Sequence, residues 1–350
     1  MIVYLGIYLA LVFLAGAVTS ARGQQWVLAL CVIGLAVFVG TRFDTGCDFD
    51  GYLYRFRYMF LDTSQSLLDR PEPGYYLLTW LIKVAGLSYL WVNVAAAAVF
   101  FGLLWHFVRR HPNALLMLAL MFPVLVIQLA MSGVRQAVAV AFLTAALTAF
   151  TRNQRSVVVL CILAAGSFHS SALVFLPLAL MVGRDYSTGR VLGALLLLTP
   201  VAYVLMQERL QIYHQRYIMA GDDMYSSGAI YRVALIVGSA AVFELYRRRF
   251  AQAFPAQFTL LHVFSLASFF LVPAYLVNTV MAHRLAYYLI PAQAFVLAAL
   301  PGLAGPLNGR DSRLLFFAIT GVYLAYMLVW FGFSRHAQSC YVPYQSFLFH

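Results

Sequence analysis

The sequence predicts an all-α polytopic membrane protein with roughly ten transmembrane helices, a re-entrant helical hairpin and interfacial helices on its outer side. Three observations predict it. Hydrophobic residues make up 63% of the 350 and charged residues only 10%, far more apolar surface than a soluble domain of this length could bury. Apolar runs of membrane-crossing length recur from Ile2 to Trp330. The basic residues fall in short clusters between these runs and not on one face or tail, so the net charge of +11 reads as a topology signal and argues against a nucleic-acid partner.

The first run, Ile2 to Thr19, has no basic residue before it and no small-residue cleavage site after it, so it is expected to be retained as a helix. Further spans are expected near 24–40, 88–108, 113–130, 134–150, 190–207, 229–246, 257–277, 285–304 and 313–332. Placing Arg22, Arg109 and Arg110, Arg152 and Arg155, Arg184 and Arg190, Arg247 to Arg249, and Arg310 and Arg313 in the cytoplasm satisfies the positive-inside rule. Both termini then lie outside. The apolar stretch Ser156 to Val182 must begin and end on the cytoplasmic side. Each of its arms, about a dozen residues and about 18 Å of helix, is too short to cross. Its centre, "AAGSFHSSA", suits the tip of a re-entrant hairpin carrying His169; a broken long helix is the alternative.

The whole chain, 1–350, reads as one integral membrane domain whose outer side holds the loops 42–87 and 208–228 and the tail 333–350. In the first loop, "RPEPGYYLLTWLIKVAG" predicts a proline-started helix lying in the interface, with Lys83 snorkelling. Cys31 and Cys161 lie in apolar runs and read as packing residues. Cys47 and Cys340 fall on the same, oxidising side, where a disulfide would tether the tail over the first loop.

Topology does not explain the outer charges. Arg55, Arg57, Arg70 and Arg209 read as partners in solvated loops, but Arg42, Arg135 and Arg284 each sit at the outer end of an apolar span. A guanidinium there either anchors headgroups and helix-end carbonyls or grips phosphate with its planar fork. Arg135, within "MSGVRQAVAV", is the sharpest case. His169 is either a packing residue or, protonated, a donor to an anionic ligand. Asp44, Asp48 and Asp50 in "DTGCDFD" offer a divalent-cation site, a base, or a partner for Arg42. Several guanidiniums with a carboxylate nearby would suit glycosyl transfer from a lipid diphosphate: a base activates a sugar hydroxyl, and cations stabilise the leaving group.

The chain resembles the EpsG family, membrane proteins that polymerise exopolysaccharide repeat units in the manner of Wzy polymerases. The resemblance is carried by "RFDTGCDFDGYLYRF" (42–56), "EPGYYLL" (72–78), "SGVRQAVAVAF" (132–142), "FHSSALVFLPL" (168–178), "HRLAYYLIP" (283–291) and "YVPYQSF" (341–347). Cys47 interrupts the family's usual Gly-Asp-aromatic order, and Asp48 is preferred over Asp44 for the family position because Tyr52 and Phe56 follow it at helical spacing. The resemblance implies an enzyme of the bacterial inner membrane whose active site faces the periplasm. Its substrate would be a polyprenyl-diphosphate-linked oligosaccharide such as an undecaprenyl diphosphate glycan, with no cofactor, nucleotide sugar or obligatory metal, and with a flippase and a chain-length regulator as partners. Asp48, Glu72 and His169 are then the candidate catalytic residues, Arg42, Arg135 and Arg284 the diphosphate ligands, and Tyr52, Tyr54 and Tyr75 sugar-stacking aromatics, although interfacial belts also explain tyrosines. Two rivals remain. One is a metal-dependent glycosyltransferase using polyprenyl-monophosphate sugars, and the other is a transporter or flippase of lipid-linked glycan.

Overall fold

An apolar run in hydrocarbon satisfies its backbone only by hydrogen bonding within itself, and the described residues are accordingly helical almost throughout. A computed structural model describes residues 1–59, 72–184, 187–189, 191–193, 196, 228–305 and 309–349. The first half comprises α1 (Ile2–Ala17), α2 (Ala21–Gly40), strand β1 (Arg42–Phe43), α3 (Phe49–Arg57), α4 (Pro73–Val84), α5 (Leu90–Val108), α6 (Ala114–Met121) with a π-helical continuation Phe122–Ala130, and α7 (Val134–Phe150). Then follow α8 (Arg155–Phe168), a 3-10 turn Ser170–Phe175, α9 (Leu178–Met181), α10 (Ala229–Leu245), α11 (Arg247–Ala253), α12 (Pro255–Val277), α13 (Thr279–Ala304), α14 (Arg310–Phe333), α15 (Arg335–Tyr341) and strand β2 (Gln345–Ser346).

These helices coincide with every expected span except 190–207, which lies mostly outside the described residues, as do residues 208–227 of the second expected outer loop. Length and apolarity support five crossings among the described residues, α2, α5, α12, α13 and α14, where the sequence reading expects ten. Part of the shortfall has a physical source: α1, the run Ala114–Ala130 and α7 are apolar but only 10–17 residues long. From Ala114 to Ala130 every residue is buried, so this run occupies the centre of the bundle. The outward faces of the surrounding helices carry exposed apolar side chains such as Phe13, Leu30, Leu276 and Phe317.

The segment holding His169 folds back on itself. Helix α8 stops at Phe168, His169 is extended (φ −152°, ψ 111°), and the returning turn and α9 pack along α8. Its two ends meet where Arg155 Nη2 donates to Val182 O at 3.4 Å. At the tip the Ser171 and Tyr288 hydroxyls lie 3.0 Å apart, fastening the hairpin to α13.

Charges separate along the bundle. One end gathers the basic connections: Gln25 Nε2 donates to Arg109 O at 3.0 Å, Arg249 Nη1 donates to Leu303 O at 3.0 Å, and the Arg109, Arg110 and Arg152 charges surround His106. The other end carries Asp48, Glu72, Arg135, His169 and Arg284. There the tail closes over the first loop. Strands β1 and β2 pair antiparallel, Arg42 opposite Ser346 and Phe43 opposite Gln345, and Cys47 is joined to Cys340 across a Cα separation of 4.9 Å. Gly46, with φ +101°, donates its N–H to Cys340 O at 2.7 Å, and a Cβ at this position would lie 1.8 Å from Met131 O. Only glycine fits there.

Candidate active site at the tethered end

Arg42 is drawn inward. Its side chain, 1% exposed, donates from Nε to Met131 O at 3.0 Å, from Nη1 to Val39 O at 2.7 Å and from Nη2 to Asn93 Oδ1 at 3.1 Å. Val39 lies in the last turn of α2 and Met131 just past the π-helical stretch, where carbonyls lack intrahelical partners and carry the negative end of the helix dipole. Of the two sequence readings of this arginine, helix-end anchor and phosphate grip, the contacts seen are those of the anchor.

Glu72 precedes Pro73 at the start of α4 with φ 65° and ψ 60°, a left-handed conformation unusual for a residue with a Cβ. Gly74 lets α4 approach the end of α8, since a Cβ there would lie 2.3 Å from Ser167 Oγ. The approach brings Glu72 against His169. His169 Nδ1 and Glu72 Oε1 are 2.6 Å apart, and Arg135 Nη1 pairs with the other carboxylate oxygen. The Glu72 side chain is 1% exposed and that of Arg135 25%, so the ion pair is buried on one side and open on the other. Arg135 Nε donates to Tyr52 Oη at 3.2 Å, and the guanidinium lies 5.5 Å from the Tyr52 ring centroid and 6.0 Å from that of Tyr75. Burial pushes the Tyr52 phenol above its ordinary pKa against the opposing pull of Arg135. The phenol therefore stays protonated while it accepts. Tyr52 and Tyr75 thus serve Arg135, whereas Tyr54 is exposed beside Tyr58.

Asp48 opens α3 but does not cap it. Its Oδ2 accepts instead from Ser132 Oγ at 3.2 Å, and the residue is exposed. Tyr52 and Phe56 follow on the buried face of α3, as the helical spacing predicts. Asp44 and Asp50 are exposed and do not converge with Asp48. Among the described residues the only cluster with ligand atoms close enough for a metal is Cys47, His336 and Cys340, and its two sulfurs are joined in the disulfide.

Arg284 stands on α13, whose position relative to α7 is fixed by a 2.7 Å hydrogen bond from Gln136 Nε2 to Arg284 O. One turn on, Tyr287 lies within range of the charges of Arg232, Asp48 and Arg284 together.

A model of the EpsG family matches residues 25–346. The chain belongs to the EpsG family. EpsG proteins are Wzy-like polymerases. No curated protein and no solved structure matches the chain. The EpsG match includes every residue of the site, from Arg42 to the tail strand at Ser346. Within this EpsG chain the sequence reading passed over Arg232 and His283. Arg232 lies inside an expected span, in "AIYRVALIVG", with no acid three or four positions away. An arginine so placed is itself the signal, because an unpaired charge inside an apolar helix must find its partner across the bundle.

Proposed function

We propose that this protein is a polymerase of polyprenyl-diphosphate-linked oligosaccharide repeats, a glycosyltransferase whose site faces the periplasm at the tethered end of the bundle. The observation that carries the reading is the gathering at one end of Asp48, which accepts from Ser132 Oγ at 3.2 Å, with Arg284, whose carbonyl accepts from Gln136 Nε2 at 2.7 Å, and Arg232, which lies 3.2 Å from the His283 ring beside it. Transfer from a lipid diphosphate needs a carboxylate for the attacking hydroxyl and cations for the leaving diphosphate in the same space. Sidedness is supported by the separation of charges, since the short basic connections gather at the far end, and by a disulfide at the near one. In this orientation the His169 hairpin is re-entrant, entering from the basic end and presenting its tip to the site.

Asp48 is the base. It is exposed and accepts from Ser132, whereas both oxygens of Glu72 are already engaged, one by Arg135 and the other by His169. Asp48 removes the proton from an acceptor-sugar hydroxyl as that oxygen bonds to the anomeric carbon of the donor glycan. The bond from that carbon to the diphosphate breaks, and its electron pair leaves on the polyprenyl diphosphate. Glu72 holds Arg135 and His169 in place at the edge of the site, Arg284 faces the departing diphosphate, and Arg42 locks the end of α2 to the end of the π-helical stretch.

The experiment is chain extension by the purified protein in liposomes loaded with a lipid-diphosphate-linked repeat. Longer glycans support the polymerase. Movement of the lipid between leaflets with glycan length unchanged points to a transporter, and loss of extension on chelation points to the metal-dependent glycosyltransferase.

A further inference from the structure

A crevice opens at the basic end of the bundle, away from Asp48 and Glu72. Helix α5 packs along α7 and α12 along α13, and where the two pairs part they leave an open space of about 470 Å³. Sites for small molecules span about 300–1,000 Å³. The walls are apolar, with Leu147 from α7, Leu261 from α12 and Phe295 from α13 all buried. The rim is polar. Arg110 comes from just past α5, Thr151 from just past α7 and Gln257 from the first turn of α12.

Three guanidiniums gather at this rim, since the charges of Arg109, Arg110 and Arg152 all reach His106 in the last turn of α5. Partial burial and then the Arg152 and Arg109 charges hold Arg110 below its ordinary pKa. Among the described residues no carboxylate pairs with any of the three. Arg109 lies over the Trp105 ring, 4.2 Å from its centroid, and Arg110 Nη1 donates to His106 O. Arg110 and Arg152 are exposed. Water and salt screen such repulsion at a surface, so the cluster alone calls for no ligand. An apolar crevice opening beneath the same charges does.

A molecule that fills both features carries an anionic head and a hydrocarbon chain. Guanidiniums fork onto phosphate oxygens, and each CH₂ taken into an apolar lining contributes about 0.8 kcal/mol. A free phosphate would leave the walls bare, and a zwitterionic lipid would bring a second cation to the arginines. Basic pockets between membrane helices on the cytoplasmic side suit anionic headgroups for this reason. Thr151 Oγ1 donates to Thr148 O at 2.9 Å, which leaves its oxygen able to accept from a headgroup hydroxyl.

We propose that the crevice between α5, α7, α12 and α13 holds an acyl chain of an anionic glycerophospholipid whose phosphate is bound by Arg110 and Arg152. The site rests on no reading of the reaction at the other end.

The test is calorimetric titration of the full-length protein, in nonionic detergent at low salt, with dioctanoyl phosphatidylglycerol, dioctanoyl phosphatidylcholine and glycerophosphate. The expected result is saturable binding of phosphatidylglycerol, much weaker binding of the other two, and a weakening of about thirtyfold when Arg110→Gln and Arg152→Gln are combined. Arg248→Gln, which removes another exposed arginine at the same end, leaves the affinity unchanged. Gln257→Trp fills the mouth without altering charge and weakens phosphatidylglycerol by about tenfold. In the unaltered protein, a phosphatidylglycerol with a photoactivatable group on its acyl chain labels peptides containing residues 147–151 and 257–261. Wild-type affinity in the double arginine variant or in a folded Gln257→Trp protein overturns the proposal. So does an equal loss in Arg248→Gln, which marks diffuse attraction, and so does equal binding of phosphatidylcholine or glycerophosphate. Labelling confined to peptides away from the crevice overturns it without any variant.

Discussion

Arg42 and Arg232 lie at the same end of the bundle and are almost equally hidden, 1% and 5% exposed, yet their surroundings are opposite. Arg42 meets three oxygens of the protein at 2.7 to 3.1 Å, two of them carbonyls left over at helix ends. Arg232 meets a histidine and tyrosines, and its Nε meets no acceptor at all. Burial of a charge does not distinguish architecture from a ligand site. An atom-by-atom inventory does: every nitrogen of the Arg42 guanidinium has an acceptor in its own chain, whereas the Nε of Arg232 has none.

The largest effect expected at this end of the bundle falls on its exposed carboxylate, Asp48. Asp48→Asn should lower the rate of chain extension by about 10²–10⁴ while the protein folds and binds lipid diphosphate as before. Extension rates in liposomes, alongside titration with a lipid diphosphate, check it, and an active Asp48→Asn would move the base elsewhere.

Arg42→Met should act on stability. Removing a charged donor from three buried acceptors should cost about 3–5 kcal/mol, read as a lowered unfolding midpoint in detergent, with the rate per folded molecule retained. An Arg42→Met protein as stable as the wild type would erase the difference between the two arginines.

Replacing Cys47 and Cys340 together by serine should cost about 2–4 kcal/mol, because the bond closes a loop of 293 residues in sequence separation. Peptide mass spectrometry without reduction tests the bond itself, and two free thiols would remove the tether. The smallest effect belongs to Tyr52→Phe. It deletes the 3.2 Å bond from Arg135 Nε and should cost about 0.5–1.5 kcal/mol in stability, detectable as a small shift in unfolding midpoint and as a larger loss when combined with Glu72→Gln.

Much of the architecture was legible because it is written in local pattern. Apolar runs marked the helices, "AAGSFHSSA" marked the hairpin break at His169, and the grouping of arginines between runs marked the two ends. Even the Cys47 to Cys340 pairing followed from placing two loops on one side. Glu72, Arg135 and His169 were each nominated singly, but their contact depends on how closely Gly74 lets α4 approach α8, which no local pattern encodes. The partners of Arg42 were hidden for the same reason. An arginine after an apolar run reads as outward-facing, and the carbonyls that capture it come from residues 39 and 131, brought together by the π-helical stretch. Arg232 was passed over because it stands inside an expected span, in the first turn of α10, where its partners come from other helices.

The pairing of β1 with β2 and the bond between Cys47 and Cys340 also impose an order of events on synthesis. Residues 42–47 emerge early, before all but two of the described helices, whereas residues 340–346 emerge with the end of the last helix and just after it. Until then β1 is an unpaired edge, and the floor beneath Asp48 has one wall. The space in which a glycan would be transferred is therefore completed only when translation is almost over, so a chain stalled before α15 would have every charged residue of the site and no tethered place for them to act.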